Sequence, residues 1–171
     1  NLKKKKKTSS VIIIAENQTK GRGTMGKSWI SIKGNLFISM LFQLKRKETD
    51  FKYFAFFNPF IIKKILENYS KHKIQVKWPN DLLIKGKKLC GILQEVVELE
   101  SKKFLVIGIG INTFTSPKNE KFSSISLLNC NKKGFSNYDI LRKIKKIYEN
   151  IISDLEKNNK ISMESNLKLL K

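Results

Sequence analysis

The segment 77–91 holds polar residues whose types and spacing suit the handling of an anion. It reads Lys-Trp-Pro-Asn-Asp-Leu-Leu-Ile-Lys-Gly-Lys-Lys-Leu-Cys-Gly, and apolar runs beside its Pro-Asn-Asp turn predict a pair of short strands. On such a hairpin, Asn80, Asp81 and Lys88 would point into a shared cleft. A lysine beside a carboxylate on rigid strands suits an anionic intermediate such as an acyl phosphate. The alternative is a surface hairpin with solvated charges, although Trp-Pro-Asn-Asp is not ordinary hairpin composition.

A second polar segment, 18–29, reads Gln-Thr-Lys-Gly-Arg-Gly-Thr-Met-Gly-Lys-Ser-Trp. Its glycines let backbone amides approach an anion, Arg22 supplies a forked donor, and Trp29 can stack on a base or seal a pocket. The segment also fits the Gly-x-Gly-x-x-Gly and P-loop patterns formally. A strand-like run follows it where both patterns need a helix, so we interpret these two matches as false positives, although spacing alone does not exclude them.

The third candidate, 106–112, reads Val-Ile-Gly-Ile-Gly-Ile-Asn. Gly108 and Gly110 alternate along a buried strand, which leaves one face bare enough for a flat ligand to lie against the backbone. Close passage of a helix would explain the two glycines equally well. Asn112, just past the strand, could bind a base edge or start a turn.

Apolar periodicity predicts an α+β fold in which a mixed, largely antiparallel sheet is flanked by helices. The predicted strands are 11–15, 35–44, 74–78, 82–84, 89–97 and 104–111, and the predicted helices are 51–69, 138–155 and 162–170. Residues 11–15 are expected to form a fully buried strand, and 16–33 a long loop. Pro59 is expected near the start of the first helix or at a kink in it. The chain 1–171 is taken as a single domain.

Composition excludes several classes of protein. No apolar run approaches the roughly 20 residues of a membrane helix, and no secretory signal is evident. Cys90 and Cys130 are far apart and have no neighbouring cysteine or histidine, so neither a zinc site nor a disulfide is predicted and the cytoplasm is expected. The formal net charge is +21, but only three of the 35 basic residues are arginine and the lysines are scattered. A basic nucleic-acid-binding module therefore stays the second hypothesis.

Five segments together resemble the catalytic domain of biotin protein ligases, the biotin–[acetyl-CoA-carboxylase] ligases, and they occur in the order of that family. They are Gly-Arg-Gly-x-x-Gly-x-x-Trp at 21–29, Gly-Asn-Leu-Phe-Ile-Ser at 34–39, Lys-Trp-Pro-Asn-Asp at 77–81, Lys-Leu-x-Gly-Ile-Leu at 88–93 with Glu95 beyond, and Gly-Ile-Gly-Ile-Asn at 108–112. The resemblance implies a fold like that of class II aminoacyl-tRNA synthetases and biotin synthetase. It also makes the P-loop match accidental.

The resemblance implies a two-step reaction in which biotin and Mg-ATP give biotinyl-5′-adenylate, and a lysine of a biotin carboxyl carrier protein then takes the biotin. Lys88 would bridge the biotin carboxylate and the α-phosphate and stabilise charge in the transition state. Asp81 would orient Lys88, although a structural role is almost as well supported, and Arg22 would lie on the phosphate side.

Binding roles are carried over residue by residue from the same motifs. Trp29 and Asn112 would contact the adenine, the glycines 91, 108 and 110 would line biotin, and Asn80 would serve the phosphate or Mg²⁺ region. No side-chain metal cluster is expected. The full predicted biotin and adenylate site is Gln18, Gly21, Arg22, Gly23, Trp29, Asn80, Lys88, Gly91, Gly108, Gly110 and Asn112.

Three departures from the family pattern bear on these expectations. Residues 1–10 lack the family's Ser-Thr-Asn element of the biotin pocket, and the chain ends before the small C-terminal β-barrel of the family. Thr24 stands where many relatives have a second arginine, which could weaken retention of the intermediate. An inactive ligase fragment is therefore a further alternative, and a homodimer is left open.

Overall fold

The computed structural model describes residues 10–43, 49–118 and 122–158, and an antiparallel six-stranded sheet is the centre of that structure. The strands lie in the order β1-β2-β6-β5-β4-β3, and each neighbouring pair is antiparallel. Their bounds are β1 Val11–Ala15, β2 Leu36–Gln43, β3 Gln75–Lys77, β4 Asp81–Ile84, β5 Lys87–Leu99 and β6 Lys102–Ile111.

Two amphipathic helices, α1 (Thr49–Glu67) and α2 (Asn137–Asn158), pack on one face of the sheet and form the core with it. Their apolar stripes recur at helical spacing, for example at Ile140, Ile144 and Ile147, all buried. The predicted α+β fold is confirmed. Pro59 lies inside α1. The predicted helix 162–170 lies outside the described residues.

Alternation along residues 105–111 of β6 separates the two faces of the sheet. Leu105, Ile107, Ile109 and Ile111 are buried against the helices, whereas Gly108 and its alternate neighbours point to the opposite face. Because the helices cover only one face, the other face is available for a ligand cleft.

One prediction about burial is wrong. β1 was expected to be fully buried, but Ile13 is 59% exposed and Ile14 53% exposed. β1 is the outermost strand of the sheet and pairs only with β2. No strand lies along its other edge, which leaves its side chains more exposed to solvent. A short apolar run has the same composition at the edge of a sheet as at its centre.

Candidate active site

A cleft of about 150 Å³ lies on the face of the sheet opposite the helices, beneath the loop that joins β1 to β2. It brings together most of the residues that the sequence singled out. Its lining comprises Gln18, Lys20, Arg22, Gly23, Thr24, Trp29, Ile38, Ser39, Asn80, Asp81, Lys88, Gly91, Ile92, Leu93, Glu95, Val106, Gly108, Ile109 and Gly110.

The floor of the cleft consists of rows of residues that lie opposite each other on neighbouring strands, and the register of the sheet determines these rows. One row runs Gly110, Gly91, Asp81 across β6, β5 and β4. The next row holds Gly108 opposite Leu93, followed by a row with Val106 opposite Glu95. The floor is therefore bare at the glycines and carries a carboxylate at each end. Along β5 the two ends are about 13 Å apart, at about 3.3 Å per residue.

Lys88 and Asp81 form an ion pair at one end of this floor, with Lys88 Nζ 2.8 Å from Asp81 Oδ1. A register shift between Leu82 and Leu83 interrupts the β4–β5 ladder beside the pair, and such irregularities redirect side chains. The side chains of Lys88 and Asp81 are 28% and 19% exposed, so the pair is partly shielded from water. The predicted proximity of the two residues is confirmed.

Arg22 forms the second ion pair of the cleft, at the end where Glu95 lies. Its Nη1 and Nη2 donate to Glu95 Oε1 and Oε2 at 3.0 and 2.5 Å, a bidentate arrangement. The loop that carries Arg22 also closes on itself, because Gly23 N donates to Lys27 O at 2.6 Å and Trp29 N to Gly21 O at 2.9 Å. Arg22 therefore reaches Glu95 from an internally bonded loop.

The indole of Trp29 lies directly on the glycine floor. A Cβ atom at Gly110 would stand 2.6 Å from Trp29 Cε2 and Cζ2, and one at Gly91 would stand 2.6 Å from Cζ3. Lys88 Nζ lies 5.4 Å from the ring centroid, within cation–π range. Trp29 Nε1 is buried and finds no hydrogen-bond partner among the described residues. The glycines at 91 and 110 thus make room for an aromatic ring of the same chain.

Hydrogen bonds fix the remaining polar side chains of the cleft. Ser31 Oγ donates to Gln18 Oε1 at 3.1 Å, which holds the amide oxygen of Gln18. Asn80 Nδ2 donates to the Ile92 carbonyl at 3.2 Å and also lies 3.4 Å from Thr24 Oγ1. The hairpin and the loop therefore touch across the cleft at Asn80 and Thr24.

Two predicted site residues lie outside the lining of the cleft. Asn112 is 1% exposed; its amide donates to the Lys88 carbonyl at 3.2 Å, and its Oδ1 finds no partner in the described part of the chain. Gly21 packs beside the cleft, where a Cβ would meet the Trp29 carbonyl at 2.6 Å. The adenine contact of Asn112 stays a prediction.

The interpretation of the formal P-loop match as a false positive is confirmed. The only helical turn at Gly21–Ser28 is the three-residue 3₁₀ turn Thr24–Gly26, and Ser28 forms an extended bridge with Arg22. No helix N-terminus is present in this segment to bind phosphate.

Several lining residues were missed: Lys20, Ser39, Leu93 and Val106, and Glu95, which carried no assigned role. The period of two residues along a strand could have found most of them. Since Gly91 and Gly108 face the cleft, Leu93, Glu95 and Val106 must face it too.

No group of three or more His, Cys, Asp or Glu residues in the described part of the chain is placed to hold a metal ion. Burial raises the pKa of the Cys90 thiol, with Lys88 opposing and Asp81 adding to that shift, so the thiol stays protonated. None of the described helices is long and apolar enough to cross a bilayer.

An antiparallel sheet with helices on one face and a cleft of paired charges on the other defines an α+β domain with a candidate ligand site. The chain belongs to the biotin/lipoate A/B protein ligase family, whose sequence model matches residues 1–112. It is 37% identical over 101 residues to the bifunctional ligase/repressor BirA of Escherichia coli K12, a match that covers 58% of this chain. It is 29% identical over 125 residues to the biotin–[acetyl-CoA-carboxylase] ligase of Mycobacterium tuberculosis, covering 69% of this chain.

Solved structures agree with that assignment. The biotin protein ligase of Aquifex aeolicus, in complex with biotin and ATP, superposes with a TM-score of 0.68 at 32% identity, over 85% of this chain and 62% of that one. The Leishmania major biotin protein ligase with biotinyl-5-AMP reaches 0.71 at 23% identity, over 94% and 69% respectively, which supports the fold. The chain spans 32% of the E. coli relative and 45% of the M. tuberculosis relative.

Proposed function

We propose that this chain is the catalytic core of a biotin–[biotin carboxyl carrier protein] ligase. The carboxylate of biotin attacks the α-phosphorus of ATP and pyrophosphate leaves. An amine of a carrier lysine then attacks the carbonyl carbon of biotinyl-5′-adenylate, and AMP leaves. The observation that carries the proposal is the Lys88–Asp81 ion pair beside a glycine floor, on the face of the sheet that the helices leave open.

We assign the role of central cation to Lys88. Its ammonium group projects from β5 at the edge of the floor and stays partly exposed, so a ligand carboxylate or phosphate can approach it. Asp81 holds the lysine in one orientation, which lowers the cost of positioning it when charge develops at the α-phosphate. Arg22 supplies a second, forked donor for phosphate oxygens.

Trp29 and the glycines have a shared role in this proposal. The cavity of about 150 Å³ is smaller than the roughly 300–1,000 Å³ usual for small-molecule sites. We infer that the loop carrying Trp29 moves to admit biotin and ATP, and that the indole then packs on the adenine. Closing of the loop would keep water from the reactive anhydride.

Mg²⁺ enters this proposal with ATP. A magnesium ion bound by phosphates needs only one or two protein oxygens and keeps several waters, so a preformed cluster is not required. The amide oxygen of Asn80 is the candidate protein ligand, because its Nδ2 is already bonded to the Ile92 carbonyl. The ion would shield phosphate charge during the attack.

We place the reaction in the cytoplasm, because Cys90 and Cys130 are both free and buried, as is usual in a reducing compartment. The partner is the biotin carboxyl carrier domain of acetyl-CoA carboxylase, whose lysine must reach the cleft. The homodimer stays a prediction.

The test is formation of biotinyl-5′-adenylate from biotin and ATP, followed by chromatography. Lys88→Ala should lower the rate at least about tenfold, or roughly 1.4 kcal/mol of transition-state stabilisation. The matched control is Lys87→Ala, which removes the same charge from the exposed neighbouring position. Equal rates for the two variants would refute the role of Lys88. A nucleic-acid-binding protein would instead show steep salt-dependent binding to unrelated DNA and no thermal stabilisation by biotin plus ATP.

A further inference from the structure

We propose that Glu95 is a positioning residue that holds Arg22 away from the phosphate subsite until ATP arrives. The inference rests on the proposed function, since it needs an anionic ligand for Arg22. Glu95 lies on β5 on the cleft face, four residues beyond Gly91. Both of its carboxylate oxygens accept from the Arg22 guanidinium, at 3.0 and 2.5 Å.

The geometry separates Arg22 from the place where it is needed. Lys88 pairs with Asp81 at the row of Gly91, whereas Glu95 lies about 13 Å further along the same strand at about 3.3 Å per residue. With both Nη atoms bonded to Glu95, the Arg22 guanidinium lies at that end of the floor, whereas a phosphate held by Lys88 lies at the other end, so one guanidinium cannot contact both anions. Arg22 must therefore exchange one anion for the other.

Exposure decides how easily that exchange happens. The side chain of Arg22 is 68% exposed and that of Glu95 is 34% exposed, so water and salt weaken the pair. Such a pair is strong enough to orient the loop and weak enough for the more highly charged triphosphate to displace it. The Lys88–Asp81 pair is less exposed, at 28% and 19%, and remains in place.

Glu95→Gln keeps the size of the side chain and removes the charge that competes for Arg22. We expect ATP to bind about twofold to fivefold more tightly to this variant, the range that an exposed ion pair supports. Glu98→Gln is the matched control, since Glu98 is exposed on the same strand and lies opposite Lys103 rather than Arg22. Titration calorimetry with the α,β-methylene analogue of ATP in the presence of biotin measures the affinities, because this analogue cannot release pyrophosphate.

An Arg22→Ala background tests whether Glu95 acts through Arg22. In that background Glu95→Gln should no longer change the affinity for ATP, whereas a purely structural role of Glu95 would leave its effect intact. Unchanged or weaker ATP binding by Glu95→Gln alone would overturn the proposal. So would an equal gain with Glu98→Gln.

A second experiment, limited proteolysis, needs no ligand. The chain has only three arginines, so an arginine-specific protease gives few products, and cleavage after Arg22 in the loop can be compared with cleavage after Arg142 in α2. Glu95→Gln should speed cleavage after Arg22 about twofold to fivefold without changing cleavage after Arg142. Unchanged cleavage after Arg22 would contradict the proposal even if the wild type bound no ATP. Absence of ATP binding in the wild type and in Glu98→Gln would instead contradict the proposed function.

Discussion

Replacing Gly110 by alanine should expel the Trp29 indole from the floor of the cleft. The added Cβ would stand 2.6 Å from Cε2 and Cζ2 of the indole and 2.9 Å from its Nε1, whereas carbon atoms in ordinary contact lie about 3.5–4.0 Å apart. The ring must therefore move by about 1 Å or leave the floor. The matched control is Gly108→Ala, two residues away on the same face, where the nearest atoms belong to Leu93 at 3.8 Å.

The magnitude follows from the cost of overpacking. A clash of this kind costs about 1–3 kcal/mol where the surroundings are well packed. Trp29 belongs to the loop between β1 and β2, so we expect the clash to displace this loop and leave the sheet folded. A cost of about 1–3 kcal/mol lowers the ratio of closed to open loop by about fivefold to 150-fold. The stability of the sheet should change little.

Fluorescence of Trp29 measures this opening. The second tryptophan, Trp78, is 66% exposed and would mask the signal, so the measurement uses a Trp78→Phe background. Gly110→Ala should shift the emission of Trp29 to longer wavelength and increase quenching by acrylamide, because Nε1 and the ring become hydrated. Gly108→Ala should leave both unchanged. Identical emission and quenching in the two glycine variants would refute the placement of the indole on Gly110.

Two further predictions concern the part of the fold behind the cleft. Tyr148→Phe should lower the free energy of unfolding by about 1–3 kcal/mol, because the Tyr148 hydroxyl donates to Asn58 Oδ1 at 2.6 Å in a buried position and that oxygen would lose its partner. Urea denaturation measures the loss, with the exposed Tyr138→Phe as control. Iodoacetamide at pH 8 should leave Cys90 unmodified in the folded protein and react with it in urea, since burial raises the pKa of the thiol and only the thiolate reacts. Mass spectrometry checks this, and rapid modification of the folded protein would contradict it.

Local patterns in the sequence were sufficient for the α+β fold class and for one end of the cleft. Strands and helices follow from apolar periods of two and 3.6 residues, and these are short-range signals. The proximity of Lys88 and Asp81 follows from the hairpin that carries both, since the tight turn places Lys88 opposite Leu83 and Asp81 lies two residues from Leu83 on the same strand face.

Contacts between distant segments could not be predicted in the same way. Arg22 and Glu95 are 73 residues apart, and only the order of the strands brings the loop over β5. The glycines at 91 and 110 were expected to line a ligand, but their spacing cannot distinguish a ligand from the indole of Trp29. The edge position of β1 also depends on strand order, which explains why its burial was mispredicted.

The cleft explains why the high positive charge is a poor guide to function. The net charge of +21 would favour nucleic acid if its cations formed an open groove. Within the cleft, however, Lys88 and Arg22 each face a carboxylate that the fold supplies, from Asp81 and Glu95. A ligand there must compete with Glu95 for Arg22 as well as satisfy Lys88, so a compact triphosphate of high charge density is favoured over a chain of single phosphates. On the proposed role of Glu95, selectivity for such a ligand would come from the two carboxylates as much as from the two cations that they pair with.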